Sequence, residues 1–151
     1  MPLKTANRLI SMALERFIGP CRVIDCSHSM ENIALADVKK LQPKQGDRLL
    51  FKTTNSECGL GTYFPDFIYM SPEAAHYLAD AQISLVGIDY YSIKQKGSPD
   101  NIPHTAFLSK NIPILEGIDL KNAEAGDYFL VALPIKFLGL DGSPCRAILL
   151  C

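Results

Sequence analysis

Two side chains with metal-ligand chemistry bracket the stretch HTAFLSKNIPILEG: His104 opens it, and Glu116 follows twelve residues later between Leu115 and Gly117. The glutamate is awkwardly placed. IPILE reads as a buried strand, and a carboxylate buried at its end is costly unless something pairs with it. An ion shared with His104 would meet that need, because imidazole nitrogen and carboxylate oxygen both suit zinc or manganese. Two ligands do not close a site, however, and a His–Glu pair at this spacing is more often structural than metal-binding.

The other candidates carry less. His28 sits in CSHS just after a strand-like segment, where a loop histidine is the default. His76 lies four residues before Asp80 in a helical segment, the spacing of a surface pair. Asp89 ends the apolar run ISLVGID and admits two readings. It faces a cleft, as polar residues at the carboxyl ends of strands in open α/β sheets do, or it caps the turn YYS. CGLGTY lacks the following helix and the Lys-Ser/Thr of a phosphate loop, and there is no Gly-x-Ser-x-Gly nucleophile elbow. Cysteines 21, 26, 58, 145 and 151 form no Cys-x-x-Cys, and no sequence neighbour lowers their pKa. They read as plain thiols of a protein in the reducing cytoplasm.

The elements that must position these residues are a mixture of strands and helices. The apolar residues at 9, 10, 13, 14, 17 and 18 predict a helix over 7–18, ended by the breaker Gly19-Pro20. CRVIDCS and RLLFKT predict strands, with ENIALADVKKL a helix between them. The span 54–69, with two glycines and a proline among aromatics, predicts a long functional or interface loop. SPEAAHYLADA predicts the clearest helix: Ser71 as N-cap, Pro72 at the first position, Glu73 toward the positive end of the dipole. ISLVGID is predicted to be a central buried strand with that helix packed outside it. QKGSPDNIP predicts a loop into His104, PIL a short strand, YFLVALPIKF a strand bent near Pro134, and CRAILL a last strand. The fold class is α/β or α+β, with a mixed sheet.

The 151 residues suffice for one domain spanning 1–151. Fifteen basic residues against sixteen acidic ones give no electrostatic case for nucleic acid or an anionic membrane surface. No apolar run approaches the roughly 20 residues of a membrane span. The opening MPLKTANRLISMALERF lacks the continuous apolar core of a signal peptide.

The blocks FIGPCRVIDCS, GDRLLFKT, LVGIDYYSI, HTAFLSKNIPILEGIDL and AGDYFLVALPIKFLGLDGSPCRAILL, taken in that order, resemble the cyclase family. These are metal-dependent hydrolases that include the bacterial kynurenine formamidases and the isatin hydrolases. The resemblance runs from about Leu9 to Leu150. It implies a swivelling β/β/α fold, with a mixed β core and outer helices, and a homo-oligomer. It implies that His104 and Glu116 are ligands of an active-site zinc or manganese. It also implies hydrolysis of an amide or formamide C–N bond in a small-molecule amide or aromatic substrate. The family signature His-x-Gly-Thr-His-x-Asp-x-Pro-x-His, which supplies most of the ligands, precedes the block matching FIGP and does not occur in these 151 residues. His28 and His76 fall in blocks matching other parts of the fold. The expectation is therefore a cyclase-like domain shortened at its N-terminus, with no catalytic residue of its own, metal absent or weakly held, and little activity alone. The alternative is a non-catalytic, oligomeric module that keeps the fold and binds a small ligand. Tyr91 in GIDYYS replaces the proline of the GID-x-Pro-Ser form found in kynurenine formamidases.

Overall fold

A computed structural model describes residues 9–59, 61 and 63–151. Eight strands and three α-helices alternate along them: β1 Ile18–Asp25, β2 Asn32–Ile33, α1 Leu35–Lys40, β3 Arg48–Lys52, β4 Tyr69–Met70, α2 Pro72–Asp80, β5 Leu85–Ile88, α3 Ile102–Leu108, β6 Ile114–Leu115, β7 Gly126–Val131 and β8 Ile148–Leu150. Six strands form one mixed sheet in the order β6-β5-β3-β1-β7-β8, and β2 pairs with β4 in a small second sheet. β1, β3, β5 and β6 run parallel, while β7 and β8 are antiparallel to their neighbours.

Strand alternation sorts the side chains into two apolar layers. One face of the sheet carries Ile24, Leu49, Phe51, Val86 and Ile88, buried against residues of α1, α2 and α3 such as Val38, Leu78 and Phe107. The other face carries Cys21, Val23, Leu50, Leu85, Leu115 and Leu130, closed by Phe17, Ile118 and Leu120. Gly87 in β5 makes room for the second layer: a Cβ there would lie 2.5 Å from Leu50 Cδ2. α2 forms where predicted, with the Ser71 hydroxyl accepting the Ala74 N–H at 3.2 Å and Ala74, Ala75, Leu78 and Ala79 buried.

Three expectations need correction. The segment before β1 is not a continuous helix: Leu9–Ser11 and Leu14–Arg16 are separate 3-10 turns, broken where Ala13 is extended at ψ 128. Residues 7 and 8 lie outside the described residues. Gly19-Pro20 is not a stop, because β1 runs through both. Gly19 takes φ 138, and Pro20 sits where β1 has only β7 beside it, since pairing with β3 begins at Arg22. A proline survives in a strand where one side is locally an edge. Finally, β5 is not central: it lies second from one end of the sheet, although all four of its residues are buried.

Candidate functional site

The residue before His104 that reads as a loop breaker instead belongs to a helix. Pro103 occupies the first turn of α3, where its missing N–H costs nothing. Asp100 Oδ1 accepts the Ile102 N–H at 3.1 Å and leads the chain into the helix. Burial of Pro103, Ala106 and Phe107 fixes the rotation of α3 and sends His104 toward the end of β6. There Glu116 follows β6 directly, and Gly117 turns the chain at φ 69.

His104 Nε2 lies 3.2 Å from Glu116 Oε1, with about a quarter of each side chain exposed. The same Oε1 accepts the Ile93 N–H at 2.7 Å, and Gly117 donates its N–H to the Tyr90 carbonyl at 2.7 Å. The 90–93 segment is thus tied to the 116–117 turn at two points. His104 Nδ1 is buried without a hydrogen-bond partner. The pair lines a cavity of about 410 Å³ together with Phe17, Leu85, Leu115, Ala132 and residues 141–145.

The two ligand atoms fit a shared ion, since ligands each at about 2.0–2.2 Å from a zinc stand roughly 3–3.5 Å apart. They supply one nitrogen and one oxygen. Among the described residues no cluster of three or more His, Cys, Asp or Glu could hold a metal ion. The pair is therefore half of a four-ligand coordination sphere.

The remaining candidates separate. Asp89 faces no cleft and caps no YYS turn, because it is fully buried. Its Oδ2 accepts the Thr53 N–H at 2.8 Å, the Ser56 hydroxyl at 2.8 Å and the Ser56 N–H at 3.3 Å, while Oδ1 accepts the Thr53 hydroxyl at 2.8 Å. Both hydroxyls also accept backbone N–H groups, from Asn55 and Leu120, so their protons are free to point at the carboxylate. Burial pushes the Asp89 carboxyl above its ordinary range, and the four donors oppose that shift. Asp89 is the knot joining the ends of β3 and β5 to the 118–120 loop. His28 is exposed and lies 3.4 Å from Asp37. Asp80, the expected partner of His76, pairs with Lys110 on the segment after α3. All five cysteines are free.

The sequence reading did not pick out the Ile93 amide, because a backbone donor leaves no mark in residue type. The signal available was the tight spacing of Asp89, Tyr90 and Ser92 after a short buried strand, which forces a turn close to the next strand end.

A mixed sheet with helices on one face and a His–Glu pair at the end of a parallel strand places the chain among α/β domains, whose ligand sites gather at the carboxyl ends of strands. Comparison with known proteins narrows the class. The family description "Putative cyclase" matches residues 3–95, and the chain belongs to the cyclase family. It is 37% identical over 139 residues to a kynurenine formamidase of Salinibacter ruber, covering 91% of this chain and 65% of that relative. It is 32% identical over 144 residues to a kynurenine formamidase of Bacillus cytotoxicus, covering 95% of this chain and 68% of that one. A solved structure described as a potential metal-dependent hydrolase with cyclase activity superposes with a TM-score of 0.86 at 37% identity, covering 92% of this chain and 68% of the other. An isatin hydrolase A from Ralstonia solanacearum, at 21% identity and TM-score 0.77 over 96% of this chain and 64% of that one, shares the fold. The chain thus spans about two thirds of the length of these relatives. No helix among the described residues is long and apolar enough to cross a membrane.

Proposed function

We propose that this chain carries the His104–Glu116 part of a cyclase-family metal-dependent amide hydrolase, and that alone it holds too few ligands to run the reaction. The observation behind this reading is the 3.2 Å approach of His104 Nε2 to Glu116 Oε1 on the wall of an apolar cavity. A catalytic zinc takes about three protein ligands and keeps one position for water. The pair provides two, and the remainder lie outside the described residues. A bound zinc or manganese supplies acidity to a water molecule and polarises an amide carbonyl.

The chain's own contribution is positional. The Ile93 N–H and β6 hold the Glu116 carboxylate in place, and α3 holds His104 opposite it. The apolar lining from Phe17, Leu85, Leu115 and Ala132 suits an apolar part of a substrate. The relatives named kynurenine formamidase favour an aryl formamide as substrate class. The five free thiols suit a reducing compartment such as the cytoplasm.

The test is calorimetric zinc titration of the wild type, His104→Ala and Glu116→Ala, with an aryl formamide hydrolysis assay in zinc or manganese. Weak wild-type binding, abolished by either substitution and accompanied by no turnover, supports the reading. Tight stoichiometric zinc with turnover overturns the claim that the chain alone is incomplete. Zinc binding that neither substitution alters assigns the pair to structure.

A further inference from the structure

The separation of 3.2 Å between His104 Nε2 and Glu116 Oε1 suits two arrangements. It is the span of two ligands on one ion, and it is also the length of a hydrogen bond. The two differ in where the imidazole carries its proton. Ligation needs a bare Nε2, whereas a hydrogen bond to an ionised carboxylate needs Nε2–H, because the carboxylate only accepts. Two observations decide between them for this chain. Glu116 Oε1 already accepts the Ile93 N–H at 2.7 Å, so this oxygen is committed as an acceptor. His104 Nδ1 is buried with no hydrogen-bond partner. With the proton on Nδ1, two faults coincide: an N–H is stranded in the interior, and the Nε2 lone pair faces those of the carboxylate. With the proton on Nε2, only the bare Nδ1 lone pair goes unmet.

We propose that His104 carries its proton on Nε2 and donates it to Glu116, so that the pair is a latch closed over the nitrogen a metal would use. The tautomer stands by itself; its consequence for zinc rests on the metal reading of the pair. Ligation through Nε2 moves the proton, at constant charge, from Nε2 to Nδ1. A ligating histidine ordinarily donates its second N–H to a carboxylate, a carbonyl or water. Nδ1 finds no such acceptor among the described residues, and its burial closes it as a ligand in its own right. One stranded N–H is worth roughly 5–150-fold in an equilibrium constant. The latch therefore weakens zinc at this pair by about that factor until Nδ1 gains an acceptor. Burial of Pro103, Ala106 and Phe107 holds α3, and His104 with it, in the latched position.

Nitrogen NMR of the labelled, chelator-treated protein at about pH 7.5 tests the proposal. The His104 ring is assigned by the loss of its signals in His104→Gln. A protonated Nε2 beside a bare Nδ1 is the expected pattern. A proton on Nδ1, in a neutral or a charged ring, overturns the proposal, as does an even mixture of the two tautomers. Melting curves give a second readout, because Gln places an amide N–H where Nε2–H stands and Asn reaches only the position of Nδ1. His104→Gln should melt within about 2 °C of the wild type, and His104→Asn about 3 °C or more below it. An equal loss in both variants overturns the latch. Neither readout uses zinc, so a protonated Nε2 in a chain that binds no zinc supports the latch and removes only the metal reading.

Discussion

Glu116 Oε1 holds the Ile93 N–H at 2.7 Å and meets His104 Nε2 at 3.2 Å, so one oxygen serves both the backbone and the candidate site. Loss of the glutamate therefore has a conformational cost that loss of the histidine does not. Glu116→Ala should free the Ile93 amide and destabilise the domain by about 1–3 kcal/mol, with Glu116→Gln near the low end because its carbonyl still accepts. His104→Ala should leave the Ile93 amide protected. Hydrogen exchange at Ile93 in the three variants is the measurement, and equal protection in all of them would refute this division.

Asp89 offers the largest single loss. Asp89→Ala leaves the Thr53 and Ser56 donors without their acceptor inside the core, and about 3–5 kcal/mol of stability should go with them. Asp89→Asn keeps one acceptor oxygen but turns an NH₂ toward donors, so about 2 kcal/mol is expected. Urea unfolding should show the midpoint falling in that order.

Acid should weaken the entry to α1. Burial raises the Asp37 pKa, but the Ala34 N–H that its Oδ2 accepts at 3.2 Å, together with His28 and Lys40, outweighs burial and leaves the carboxyl below its ordinary 3.8. A depressed carboxylate stabilises the fold above its unfolded pKa and loses that contribution as pH falls through the folded value. Thermal melting should therefore decline below about pH 4, and Asp37→Asn should flatten that part of the curve while lowering stability at pH 7.

Thiol chemistry should divide the cysteines by place. Burial pushes Cys21 up to about 11 and Cys26 up to about 12, so neither forms thiolate near pH 8. Cys58 and Cys151 are exposed and should react fast with an aromatic disulfide reagent. Cys145, half-buried and also raised by burial, should follow slowly. Two fast thiols in the native protein and five in denaturant is the expected count. Rapid labelling of Cys26 would show that β1 opens readily.

Where one local signal determines structure, the sequence was readable. Ser71-Pro72-Glu73 marks the start of α2 because cap, proline and charge act within one turn, and short runs rich in apolar residues mark β3, β5 and β8. The errors arose where distant partners decide. The apolar spacing at 9–18 suited a helix, but sheet pairing with β7 claimed Ile18 and those after it as strand. Pro103 looked like the end of a loop because its helix is held by Phe107 packing into the core rather than by local propensity. Asp89 was legible as a special residue and not by role, since its donors come from residues 53 and 56, more than thirty positions upstream. His104 and Glu116 stand out by residue type and resemblance, and their approach depends on α3, a helix the sequence pattern does not predict.

The pairing of β1 also sets an order in time. β1 joins β3 within some thirty residues, but its other side stays open until Val131 arrives to face Ile18. While the ribosome adds the intervening residues, at roughly 5–20 per second, Cys21 and Val23 wait several seconds without Tyr128 and Leu130 to cover them. The nascent chain thus carries an open strand edge through most of its synthesis, which is when a chaperone that binds extended apolar segments has its opportunity.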